Sequence, residues 1–175
     1  DLLRSTIKQD SFVTIEEELK SVHNYLLIQE YRFGDKIQVS YEIDEKAKDY
    51  IIPNFILQPL IENSIIHGIE PKLEKGHLLI KIKVNDQRLN FIIKDDGVGM
   101  TADEVKELYI KCEVDKDNKN LIGIKNVYRR LKIYYGKEGA LKIESDRNRG
   151  TVISFSIPLE KIAKNKRGGS LHGNE

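Results

Sequence analysis

Hydrophobic residues recur along the first part of this chain at helical spacing. Ile15, Leu19, Val22, Leu26 and Phe33 fall at steps of three and four, with Gln29 in the one polar slot. Such steps place one apolar stripe on a helix of about twenty residues. Thr14 and Glu17 stand just ahead at capping-box spacing, where the hydroxyl caps the first turn and the carboxylate reaches back. The stripe is open to two readings, ordinary core or a surface for a partner helix. Tyr25, Leu27 and Tyr31 add apolar surface on other sides, which favours core. Gly34-Asp35 then breaks the pattern, and Ile37, Val39, Tyr41 and Ile43 alternate as a strand does. Pro53 is expected to open a second helix carrying Ile56, Leu57, Leu60, Ile61, Ile65 and Ile66. That segment is apolar nearly all round and so should be buried. Pro59 inside it predicts a kink, or a helix that properly begins there.

Two β-rich runs follow, His77 to Val84 and Arg88 to Asp95, joined by Asn85-Asp86-Gln87 as a hairpin. Residues 97–122 are different: glycine at the start, then charge, with few large apolar groups. A third helix is predicted from about Gly123 to Tyr135, with Val127, Leu131 and Tyr134 on one face. Ala140 to Ser145 and Thr151 to Ile157 read as strands around an Asn148-Arg149-Gly150 turn. From Lys164 onward the charged, turn-forming composition predicts a disordered tail. No internal repeat stands out. The order predicts an α+β fold, a two-layer sandwich with helices on one face of a mixed sheet.

Composition narrows the function classes. The 175 residues fit one domain, enough to bury about 70% of the unfolded surface. Lys+Arg 29 against Asp+Glu 28 leaves a net charge of +1, no footprint for a nucleic-acid backbone. The single cysteine, Cys112, excludes an internal disulfide framework and a cysteine-based zinc site, and reads as an incidental thiol in a polar loop. No stretch reaches the ~20 apolar residues of a membrane helix, and no signal peptide is recognisable. A start at Asp1 instead of Met is expected of a piece of a longer protein.

Three short segments carry candidate chemistry: Glu62-Asn63-Ser64-Ile65-Ile66-His67-Gly68, Asp95-Asp96-Gly97-Val98-Gly99-Met100, and Ile122-Gly123-Ile124-Lys125-Asn126. Glu62 and Asn63 are polar groups in an apolar helix, so they should face a cleft, water or an ion. Two adjacent oxygen donors suit Mg²⁺, which takes few protein ligands and keeps waters and phosphate oxygens. His67, one turn after Asn63, shares its face. Asp95 ends an apolar strand and meets Gly97 and Gly99, which allow unusual backbone angles and close approach to a ligand. Gly123 begins a helix, whose exposed N–H groups favour phosphate. Taken singly, each has an ordinary structural explanation: a surface glutamate, an Asp-Gly turn, a helix cap.

In this order and spacing they resemble the GHKL ATPase superfamily of gyrase, heat-shock chaperones, histidine kinases and MutL. Within it the chain is most similar to the LytS/YesM type of sensor histidine kinase, from Leu2 to Leu159. The likeness is most specific in Glu18 to Gln29 with Arg32-Phe33, in Ile52-Pro53 through Leu57-Gln58-Pro59-Leu60-Ile61-Glu62-Asn63-Ser64 to His67-Gly68, and in Gly123 to Leu131 with Tyr135-Gly136. The resemblance implies that Asn63 coordinates Mg²⁺ and that Glu62 positions or activates the reacting group. It implies that Asp95 reads the adenine amino group of ATP while Gly97 and Gly99 shape the pocket floor. Residues 100–122 would be a mobile lid, poorly ordered without nucleotide, and Gly123 would begin the helix facing the phosphates. His67 would support the site, with a packed, non-ligating histidine as the alternative.

Two departures from the pattern matter. Many relatives carry further glycines where this chain has Asn120-Leu121-Ile122, so fewer phosphate contacts are expected there. None of the four histidines sits in the family's His-Phe-x-x-Asn phosphoacceptor motif. The likeness places the His23 helix after the acceptor, and His77 and His172 carry no signal. The implied division is 1–34 as the remnant of a dimerisation and phosphoacceptor region, 35–160 as the ATP-binding domain, and 161–175 as the tail. Implied partners are ATP, the protein's own dimerisation domain and a response regulator. The whole protein would be a membrane-anchored homodimer with this domain in the cytoplasm. A hydrolytic relative, with Glu62 activating water, and a nucleotide-binding module without turnover are the rival readings.

Overall fold

Thr14 starts the first helix. Its Oγ1 accepts the Glu17 N–H at 3.2 Å, and its own N–H donates to the Glu17 carboxylate at 2.8 Å. In this computed structural model, which describes residues 12–85, 87–114 and 122–160, that reciprocal box opens α1 (Ile15–Phe33). Ile15, Val22 and Leu26 are buried, and Leu19 and Phe33 pack against them. Of the two readings of this stripe, core is the one observed.

Two strands are absent from the periodicity argument. Phe12–Thr14 (β1) and Ile51–Pro53 (β3) pair antiparallel as a small separate sheet, while Ile37–Ile43 (β2) joins the main one. Pro53 therefore ends a strand instead of opening a helix. The second helix, α2, runs Leu57–Asn63. Pro59 is its third residue, where a missing N–H breaks no intrahelical bond, so no kink follows. Beyond Asn63 the chain widens into a π-helical stretch, Ser64–Ile69, with the Glu70 N–H on the Ile65 carbonyl at 2.8 Å. Leu57, Leu60, Ile61 and Ile65 are fully buried as expected, but Ile66 is 42% exposed.

The hairpin forms as β4 (Gly76–Asn85) and β5 (Arg88–Asp95). β6 (Lys142–Asp146) and β7 (Gly150–Pro158) complete a five-stranded sheet of order β2-β4-β5-β7-β6, in which only the β2–β4 pair is parallel. Period-two alternation sends Leu78, Ile80, Ile82, Phe91, Ile93, Ile153 and Phe155 to one buried face. There Phe91 and Phe155, directly paired across β5 and β7, stack with centroids 4.5 Å apart. The helices cover this face, and the fold is the expected two-layer α+β sandwich.

The segment expected to be an unordered lid is in part a helix. Thr101 and Glu104 form a second capping box, and α3 (Ala102–Glu113) buries Leu108 and Cys112 against the core. Cys112 is thus a packed thiol, its pKa raised first by burial, and not a loop residue. The last helix, α4 (Ile122–Tyr135), buries Ile124, Val127 and Leu131; Tyr134, expected on the same face, is 41% exposed. Residues 115–121 of the lid and the tail 161–175 lie outside the described residues. No helix among the described residues is long and apolar enough to cross a membrane.

Candidate functional site

β5 delivers Asp95 to its end as a buried carboxylate, 2% exposed. Its Oδ1 accepts the Gly97 N–H at 2.9 Å. Burial pushes its pKa up and Asp96 adds to the rise, while the Gly97 and Thr151 backbone and the Ser64 side chain pull it part of the way back. The Ser64 hydroxyl acts through proximity, since it is buried without a fixed hydrogen bond.

The backbone around Asp95 is closed to side chains. A Cβ on Gly97 would lie 2.3 Å from the Gly68 carbonyl carbon, and one on Gly68 would lie 2.7 Å from Asp95 Oδ1. The Val98 N–H donates to the Gly68 carbonyl at 2.9 Å, which stitches the π stretch to the loop after β5. Gly99 sits at φ +59, and its Cβ would meet the Asp146 carbonyl oxygen at 2.0 Å. Gly97→Ala is accordingly expected to destabilise the fold by about 1–3 kcal/mol, the range for overpacking a tight site. A denaturant midpoint equal to the native one would show that the two segments part easily.

A cavity of about 400 Å³ opens beside Asp95. Asn63, His67 and Gly68 line it, together with Asp95, Gly99, Met100 and Thr151. α3 supplies a wall through Glu104, Glu107, Leu108 and Lys111, and α4 adds Ile124. Of the residues singled out from sequence, the fold brings together Asn63, His67, Asp95 and Gly99. His67 is exposed at the cavity, so it is not a packed histidine.

Glu62, Gly97 and Gly123 are not among the cavity residues. The Glu62 carboxylate accepts from Gln58 Nε2 at 2.8 Å and lies near Tyr25 of α1. Gly97 serves the close backbone approach just described. A Cβ on Gly123 would touch Pro59 Cβ at 3.3 Å, so that glycine lets α4 pack against α2.

The α3 wall was missed from sequence, although Thr101-x-x-Glu104 has the same capping-box spacing as Thr14-x-x-Glu17. Thr151 carried no signal beyond its strand. Two ion pairs balance the acid on the wall: Arg147 holds Glu104 at 2.6 Å and Lys111 holds Glu107 at 2.6 Å. Arg147 also donates to the Gly99 carbonyl at 3.0 Å, tying α3 to the glycine loop.

Among the described residues no three or more His, Cys, Asp or Glu side chains cluster as a metal site. Asn63 is the oxygen donor on the cavity wall whose amide makes no hydrogen bond within the described residues. Of the two adjacent donors expected from sequence only Asn63 is at the cavity, and a single amide oxygen fits an ion taking few protein ligands and the rest from phosphate and water, as Mg²⁺ does.

A buried carboxylate at a strand end, two glycines and an asparagine thus share one cavity beside a mixed sheet. The model of the histidine kinase-, DNA gyrase B- and HSP90-like ATPases matches residues 49–161, and a histidine kinase model matches residues 1–37. The chain belongs to this ATPase family. It is 35% identical over 155 residues to the sensor histidine kinase YpdA of Escherichia coli, covering 89% of this chain and 26% of that protein. It is 32% identical over 163 residues to the sensor protein kinase HptS of Staphylococcus aureus, covering 91% of this chain and 31% of that one. The chain thus spans between a quarter and a third of these curated relatives. Among solved structures, the nucleotide-free catalytic domain of histidine kinase ThkA superposes with TM-score 0.60 at 20% identity, covering 85% of this chain and 94% of that one. The mycobacterial sensor histidine kinase MprB gives 0.60 at 16% identity, covering 86% and 98%. These two likenesses show the fold.

Proposed function

We propose that this chain is the ATP-binding catalytic domain of a sensor histidine kinase, transferring the γ-phosphoryl of ATP to a histidine upstream of α1. The observation that carries the reading is the cavity that Asn63 and His67 share with the buried Asp95. A buried carboxylate oxygen is matched to an exocyclic amino group, which adenine has and guanine lacks at that position. Asn63 would hold Mg²⁺, which when bound neutralises phosphate charge. His67, exposed beside it, would meet the phosphate end. Catalysis of this type is positioning plus charge stabilisation.

Glu62 accepts from Gln58 and acts electrostatically on Tyr25 of α1, and it does not line the cavity. Its role would therefore be toward the acceptor, not toward nucleotide binding. His23 lines a separate groove with Leu27 and Tyr41, which argues against it as the acceptor. The match of residues 1–37 to a histidine kinase model supports assigning 1–34 to the dimerisation and linker region, 35–160 to the catalytic domain and 161–175 to a tail. By the same reading the whole protein is a membrane-anchored homodimer, this domain is cytoplasmic, and a response regulator receives the phosphoryl group.

The chain mixed with Mg-ATP should bind nucleotide without releasing phosphate steadily, since Glu62, the group that would activate water in a hydrolytic relative, is not among the residues lining the cavity. Sustained phosphate release by the chain alone would favour the hydrolytic relatives instead.

A further inference from the structure

Glu18 is a carboxylate buried in the core, 1% exposed, one turn into α1. Its Oε1 accepts the Leu57 N–H at 2.9 Å and its Oε2 accepts the Phe55 N–H at 3.1 Å. The Leu57 N–H is the first of α2, where no carbonyl within the helix can satisfy it, and the Phe55 N–H lies in the turn just before the capping residue. The residue in the capping position, Ile56, has no side chain able to do so. The cap of α2 is therefore supplied by another helix. The turn itself needs holding, because Phe55 sits at φ +57, an angle bulky residues seldom adopt. On its other side Arg130 of α4 donates to the Asn54 carbonyl.

The contacts continue along α1 at intervals of seven residues. Tyr25 lies near Glu62. Arg32 donates to the Glu70 carboxylate at 3.0 Å, and Lys36 just beyond donates to the Glu70 carbonyl at 2.8 Å. Glu18 thus meets Leu57 and Arg32 meets Glu70, with Tyr25 and Glu62 between those pairs, so the two helices run parallel and the second is held at both ends. Between those ends lie Asn63, His67 and the π-helical stretch. A π turn is rare and is frequently found at functional sites. His67 lies within it, so relaxing the stretch to α-helical spacing would rotate that side chain relative to the start of α2.

We propose that Glu18 is a positioning residue that clamps α2 to α1, so that the placement of Asn63 and His67 in the cavity is set by α1. The inference rests on the reading of that cavity as an ATP site. It gives α1 a part in the site although no α1 side chain lines it. Exposed pairs such as Arg32–Glu70 add little on their own, whereas the carboxylate of Glu18, shielded from water, has no solvated alternative to its two N–H partners.

The test is calorimetric ATP binding, with and without Mg²⁺, by the native chain, Glu18→Gln and Val22→Ala, below each melting temperature. Glutamine keeps the shape but presents an NH₂ to one of the two backbone N–H groups. It should weaken Mg-ATP binding by roughly fivefold to fiftyfold, the usual range of coupling between linked sites. Val22→Ala, which empties space in the same helix, should lower the melting temperature yet leave affinity within about twofold of native. Equal weakening by both variants, or none by Glu18→Gln, overturns the clamp while native ATP binding leaves the nucleotide reading standing. Failure of the native chain to bind ATP overturns both. Should Glu18→Gln not fold, amide exchange in the native chain decides: coupling is reciprocal, so Mg-ATP should slow exchange at Phe55 and Leu57. Rates unchanged by nucleotide would contradict the clamp.

Discussion

Asp95→Ala is expected to weaken ATP binding by roughly tenfold to a hundredfold, because losing a charged hydrogen-bond acceptor costs about 1.5–3 kcal/mol. A separated kinase domain of this kind should bind ATP with a Kd of roughly 10 µM to 1 mM. The variant therefore falls near the limit of calorimetric detection. GTP should bind poorly to the native chain, and equal affinities for ATP and GTP would remove the adenine-reading role. Asp95→Asn separates function from stability. Burial raises the folded pKa of Asp95 above its unfolded value, which is about 3.9. As pH rises from there through the raised value, the folded state loses stability from this group, and above it the loss is complete. Asparagine removes that cost at neutral pH and still offers an oxygen to the Gly97 N–H. Its melting temperature without nucleotide should exceed native while its ATP affinity falls. ATP binding by the native chain should likewise weaken on acidification at a pH above the ordinary aspartate range.

Asn63→Ala should make ATP affinity the same with and without Mg²⁺, since it removes the proposed protein ligand of the ion. The side chain is partly exposed and makes no hydrogen bond within the described residues, so the melting temperature should barely move. Glu62→Ala should do the opposite. Its carboxylate is turned to Gln58 and lies near Tyr25, away from the cavity, so ATP binding should stay near native while transfer to the acceptor collapses. Transfer at the native rate by a full-length Glu62→Ala kinase would remove it from the chemistry.

The sheet and its helical cover were legible because their signals are local and periodic. Alternation in Ile80-Lys81-Ile82 marks a half-buried strand, the apolar run Phe91-Ile92-Ile93 a buried one, and the Thr14–Glu17 box a helix start. Where a long-range contact decided the local structure, sequence reading failed. The short β1–β3 sheet depends on residues about forty positions apart pairing, and no periodicity announces three-residue strands. α3 was read as loop because its charge outweighs its apolar content, although Leu108 and Cys112 anchor it and a capping box begins it. Asp95, Asn63 and His67 could be found as polar groups amid apolar runs. Glu18 could not, because an acidic residue in a first helical turn is ordinary there, and only the packing of α1 along α2 buries it.

The most direct test of kinase function is transfer of labelled phosphate from ATP. The native chain alone should remain unlabelled. Mixed with the helical dimerisation domain of its parent protein, it should label that domain slowly, because the effective concentration that a tether supplies, ~mM for a short linker, is gone. The label should be lost in acid and survive base, as phosphohistidine does and phosphoserine does not. Rapid labelling of the chain itself at His23, or no transfer to the acceptor domain while ATP binds normally, would contradict it.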